Sequence, residues 1–177
     1  MPRSIATIIV VFSAVLTLSV VPTPARAAVG DLVCAPPTSS AITFTPPLTT
    51  SPQTATVRST NVFGPCVSTT VPAVTSGYTS VNVTVPNRSC LTLAGSGTST
   101  STITWNTGQT SELTLNFLTE IVGGVYTSTV TGAVTGGLFA GDSVVSNQTG
   151  AATDIALCLA GLGTVSSIYT VGTMTFV

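Results

Sequence analysis

The sequence of 177 residues contains no histidine and no lysine, and only 5% of it is charged. Each absence removes a class of chemistry. Without histidine no Ser-His-Asp triad can form, and general acid–base catalysis near neutral pH loses its most common group. Without lysine there is no Schiff-base or Ser-Lys chemistry. Zinc would need four cysteines arranged in close pairs, and the four present, Cys34, Cys66, Cys90 and Cys158, include no C-x-x-C pair. No calcium-loop or phosphate-binding glycine pattern occurs. No metal and no cofactor is therefore expected. Aromatic residues make up 6% of the chain, with Trp105 the single tryptophan, so the girdles of an outer-membrane barrel are not in evidence.

What is present begins with an export signal. Arg3 is followed by an uncharged apolar run from Ile5 to Val21. Pro22 and Pro24 end the run, and Ala25-Arg26-Ala27 forms an A-x-A cleavage box. The run is short for a membrane-spanning helix and holds Ser13, Thr17 and Ser19. The first cysteine, Cys34, lies too far along for a lipoprotein. The expectation is a signal peptide over 1–27, a secreted or extracellular mature chain over 28–177, and no membrane anchor after cleavage. Removing 27 of the 177 residues leaves 150, enough for one domain with a real core.

The mature chain retains Arg58 and Arg88 against Asp31, Glu112, Glu120, Asp142 and Asp154, a net charge of −3. Two cations cannot neutralise a row of phosphates, which excludes nucleic acid as a partner.

Thr, Ser, Val and Gly dominate, and the β-branched residues among them suit a pleated sheet. Apolar and polar residues alternate in six places, with no convincing helix between them. Ile42 and Phe44 alternate with threonines, as do Ile103 and Trp105 and, at the end, Met174 and Phe176. Val81, Val83 and Val85, then Leu113, Leu115 and Phe117, then Ile155, Leu157 and Leu159, form the other sets. Proline and glycine turns separate these runs, Asn106-Thr107-Gly108 being a three-residue hairpin loop. The stretch Gly95 to Ser101 reads as a loop leading into a strand. The expected fold is all-β, an antiparallel sandwich of about eight or nine strands, Ig-like or Greek-key in character. Phe44, Trp105, Leu115, Phe117, Leu157 and Phe176 are its expected core.

An even number of cysteines in an exported chain argues for two disulfides. Cys34 and Cys66 lie about equally far from the Thr49-Thr50 turn, so a simple hairpin sets them face to face. That leaves Cys90 for Cys158.

Only carboxylates remain as catalytic candidates. Glu112 and Glu120 stand roughly 26 Å apart on an extended strand, beyond the range of a glycosidase pair. Asp142 and Asp154 flank a turn-rich stretch, where turn-capping by Asp142 accounts for it without catalysis. No catalytic residue is assigned, and the protein is not expected to be an enzyme.

The stretches Ile103-Thr104-Trp105-Asn106-Thr107-Gly108-Gln109-Thr110-Ser111 and Val130 to Asp142, with Gly172-Thr173-Met174-Thr175-Phe176 at the end, resemble a group of small exported β-rich proteins of actinobacteria. The resemblance implies location and fold and transfers no site. The leading functional expectation is a non-enzymatic structural or binding protein of the cell surface or medium, with a cell-envelope polysaccharide or protein as partner. A carbohydrate-binding or adhesin-like module is the alternative, followed by a carboxylate-dependent hydrolase or a protease inhibitor.

Overall fold

The computed structural model describes residues 31–177, so the signal peptide expected over 1–27 lies outside the described residues. The described residues form nine strands: β1 (Leu32–Leu48), β2 (Gln53–Phe63), β3 (Cys66–Ser68), β4 (Gly77–Arg88), β5 (Gly95–Trp105), β6 (Thr110–Val122), β7 (Val125–Gly137), β8 (Ser143–Ala151) and β9 (Val165–Phe176). A 3-10 turn covers Cys90–Thr92, and one short helix, α1, covers Thr153–Leu159.

The sandwich expectation is overturned. The strands form one antiparallel sheet in the order β2-β4-β5-β6-β7-β8-β9-β1-β3, and β1 also pairs with β2. That last pairing, with Ser39 opposite Val62 and Thr45 opposite Thr56, closes eight strands into a barrel. β9 reaches the other edge of β1, with Ala41 opposite Tyr169. The short β3 extends the line of β2 alongside the start of β1. Period-two alternation is common to sandwich and barrel, because both bury one face of each strand. The difference lies in strand length and bending. The eight barrel strands run for 9–17 residues, long enough to tilt and coil around an axis. Glycines at inward positions allow the coiling. A Cβ on Gly132 would strike the carbonyl of Thr114, and one on Gly172 the carbonyl of Asn147.

A second correction concerns Ile155, Leu157 and Leu159. Their alternation does not mark a strand; they lie on α1, which buries Ile155 and Cys158 and leaves Leu157 43% exposed. Ile155 and Cys158 are three apart, the spacing of one helix face, and a seven-residue helix is too short to show more than that.

Two apolar clusters close the two ends of the barrel. At one end Trp105, Phe139 and Phe176 meet edge to face, with ring centroids 5.5–5.8 Å apart. Leu32, Ile103, Val144 and Met174 pack around them. At the other end Phe44, Leu48, Cys90, Tyr126, Ile155 and Cys158 gather beneath α1. Each cluster holds one disulfide: Cys34–Cys66 at the tryptophan end, Cys90–Cys158 at the helix end. Cys34 and Cys66 are register partners on β1 and β3. The outer surface is a lawn of hydroxyls, with Thr127, Thr129, Thr131 and Thr135 pointing outward along β7.

Candidate functional site: the barrel lumen

Between the two clusters the barrel is not filled. Leu115 and Phe117, expected in the core, are half-buried and face a cavity of about 530 Å³. That volume falls within the usual range for small-molecule sites. Eight-stranded barrels are wide enough either to be packed solid or to hold one small ligand. Here the choice follows from what stands at the inward positions. In mid-barrel β1 places Ser40 inward, β2 Ser59, β5 Ser99 and Ser101, and β7 Ser128. These side chains are too short to meet across the axis. Gly97 contributes none, and the ring of Phe117 occupies the place its Cβ would take.

The lining combines apolar surface with a few fixed polar groups. Ile42, Val57, Leu115, Phe117, Val130 and Ile168 supply the apolar part. Thr170 donates to Gln148 Oε1 at 2.7 Å, which orients the Gln148 amide. Ser40, Gln148 and Thr170 are all buried members of the same wall. Among the described residues no carboxylate lines the cavity, and Arg88 is the one charged residue that does.

Access to the lumen comes from a break in the wall. β4 and β5 pair only at Gly77–Trp105 and Tyr78–Thr104. Beyond those pairs the two strands separate, and Val81 and Val83 on one edge and Ser99 on the other are exposed. The separation arises at the connection between them. A tight hairpin would let the strands zip together, but the 3-10 turn at Cys90–Thr92 is drawn under the barrel end. Cys90 is bonded to Cys158 of α1, and its N–H donates to the Thr49 carbonyl at 3.0 Å. Ser89 N–H donates to Thr92 Oγ1 at 3.1 Å, which shapes the turn. The strands stay apart because their connection is held elsewhere.

Arg88 ends β4 at this break. Its Nη1 donates to the Thr92 carbonyl at 3.2 Å, while its Nε is buried without an acceptor. Tyr126 lies close by: burial raises its hydroxyl pKa, and the Thr119 side chain and the Arg88 charge pull it down.

The acids lie away from the lumen. Glu112 and Glu120 both project outward from β6, exposed and eight residues apart. Asp142 and Asp154 sit at opposite ends of β8, roughly 30 Å apart along nine residues of strand. The approach a carboxylate hydrolase would need does not occur. Asp142 instead is 2% exposed beside Asp31, itself 1% exposed, and neither Asp142 oxygen has a hydrogen-bond partner. Burial, and then the Asp31 charge, raise the Asp142 pKa from 3.8 to about 6. The turn role expected for it is carried by its backbone, which accepts from Val134 N–H at 2.8 Å and donates to the Phe139 carbonyl at 3.1 Å.

The raised pKa has a sign. The folded state holds the Asp142 proton more tightly than the unfolded chain, so this carboxyl favours folding while protonated. Its contribution is greatest below about pH 4 and is lost as the pH rises through about 6. Asp142→Asn removes the charge at every pH. It should stabilise the protein at pH 7.5 by on the order of 2 kcal/mol, roughly 5 °C in Tm. The advantage should vanish at pH 4. Equal melting temperatures for variant and wild type at both pH values would contradict this.

Aromatic residues do not gather on the outer surface. Trp105 and Tyr126 are buried, and the exposed Tyr78 and Tyr169 stand on β4 and β9, separated by β1 and β2.

The molecule is thus a closed antiparallel β-barrel with an internal cavity that opens through one seam. No family model matches its sequence, and no curated protein or solved structure is significantly similar to it.

Proposed function

We propose that this is an exported, non-catalytic binding protein that holds one small, mainly apolar molecule in the barrel lumen. The observation that carries the reading is the unfilled middle of the barrel, with packed clusters at both ends and a break in the wall between β4 and β5. Packed ends and a lateral opening suit a guest that slides in sideways and leaves water behind. Apolar side chains supply the driving force, about 25 cal/mol per Å² of apolar surface removed from water. Gln148, Ser40 and Asn61 offer hydrogen bonds to a polar substituent. Among the described residues no carboxylate lines the cavity beside its hydroxyls, and the sequence holds no histidine or lysine to activate them.

The disulfides agree with an oxidising compartment. Among the described residues no helix is long and apolar enough to cross a membrane. A role outside the cell, as a carrier or receptor for a sparingly soluble molecule, fits both the signal-like N-terminus and the hydroxyl-covered exterior.

The test is titration calorimetry with 1-decanol as the probe, on the wild type and on Ser128→Trp. Ser128 faces the cavity from β7, so an indole there should fill it. Binding at one site in the wild type, lost in Ser128→Trp with the β-type circular dichroism spectrum kept, is the expected result. No binding to the wild type, or equal binding to the variant, would end the lumen reading.

A further inference from the structure

We infer that the lumen ligand is an amphipathic carboxylate, its head group held by Arg88 at the opening and its apolar tail lying in the barrel. This inference rests on the lumen reading and adds the ligand's charge and orientation.

Arg88 is one of two cations in the described residues, and the other, Arg58, is exposed on the outer face of β2. Three observations distinguish Arg88. It lines the cavity, at the end where β4 and β5 are farthest from their shared pairs. It is only partly satisfied: Nη1 reaches the Thr92 carbonyl, Nε is buried with no acceptor, and no carboxylate of the described residues forms an ion pair with it. It sits in an otherwise uncharged lining, where a guanidinium without a counter-ion is costly and an incoming anion relieves that cost.

The surroundings suit a carboxylate. A guanidinium presents paired donors in a plane that matches two carboxylate oxygens. Tyr126 lines the same cavity as Arg88 and adds a polar hydroxyl to an otherwise largely apolar wall. From there the apolar wall continues through Ile168, Phe117, Leu115 and Val130 toward mid-barrel. A molecule with one anionic end and an unbranched apolar body satisfies both regions at once. A dianion, or a tail with several charges, finds no second cation among the described residues of the lining.

The experiment compares decanoate with 1-decanol at pH 8, by calorimetry, on the wild type, Arg88→Gln and Arg88→Lys. A charge-assisted hydrogen bond should favour decanoate over decanol by roughly tenfold or more in the wild type. Arg88→Gln should bring the two probes level, and Arg88→Lys should restore part of the preference. Decyl phosphate serves as the third probe, and binding it more tightly than decanoate would overturn the carboxylate assignment. Decanol and decanoate binding the wild type equally would overturn the role of Arg88 and leave the lumen reading intact. Failure of both to bind would remove the lumen reading as well. Should Arg88→Gln not fold, the wild-type ratio and Arg88→Lys decide the matter alone.

Discussion

Replacing Cys90 and Cys158 together by serine should cost about 4 kcal/mol of stability, read by urea unfolding under non-reducing conditions. The bond closes a loop across a sequence separation of 68 residues, and the cost of freeing such a loop in the unfolded chain is of that size. The substitution also tests what holds the barrel open. The 3-10 turn is anchored by this disulfide and by the hydrogen bond from Cys90 N–H to Thr49. With only the hydrogen bond left, β4 and β5 should zip further from their existing pairs at Gly77–Trp105 and Tyr78–Thr104. Continuing that register sets Val81 opposite Ser101 and Val83 opposite Ser99. Backbone amides on these facing edges should gain protection from hydrogen exchange, and access of decanol to the lumen should slow. A loss of less than about 1 kcal/mol would refute the stability argument. Unchanged protection along both edges would show that the strands are kept apart by something else.

Trp105→Ala should be the most damaging single change in the described chain, at roughly 3–5 kcal/mol. Trp105 is 2% exposed and forms edge-to-face contacts with Phe139 and Phe176. Its Nε1 donates to Ser111 Oγ at 2.8 Å, and that hydroxyl donates to the Leu138 carbonyl at 2.6 Å. The backbone is shaped around it: a Cβ on Gly77 would lie 2.6 Å from Trp105 Cε3. Removing the indole therefore empties the end of the barrel where β4 and β5 still pair. Trp105→Phe keeps much of the ring and should cost about half as much. Because Ser111 retains its bond to Leu138, the hydroxyl is not left without a partner. Equal losses for alanine and phenylalanine would place the energy in the hydrogen bond rather than in packing.

Particular residues show how far the sequence could be read. Trp105, Phe44 and Phe176 are buried where alternation placed them, because a strand with one wet face and one dry face carries that pattern in any sheet. The pairing Cys34–Cys66 was legible from the turn between them: β1 and β2 run in one register from Thr45–Thr56 to Ser39–Val62, and β3 continues it with a shift of one residue. Leu157 misled because α1 is too short for its period to separate from that of a strand. Gly95 to Ser101 looked like a loop because β5 has no dry face there: one side meets solvent and the other the cavity. The same small residues that hid the strand create the space inside it. Arg88 carried no sequence signal at all, since a lone arginine after a strand is most often a solvated end.

By itself the sequence determined that the chain is β-rich, poor in catalytic groups, equipped for oxidation and headed by a signal-like segment. These are properties of composition and of spacing along one strand, and they need no knowledge of which strand meets which. Only the tertiary structure decided that the sheet closes into a barrel, that Leu115 and Phe117 face a cavity, and that Arg88 stands at its opening. Closure depends on β1 pairing on both edges, with β2 next to it in sequence and with β9 more than a hundred residues away. Alternation fixes which face of a strand turns inward; it is silent on whether the inward faces meet another sheet or enclose a space.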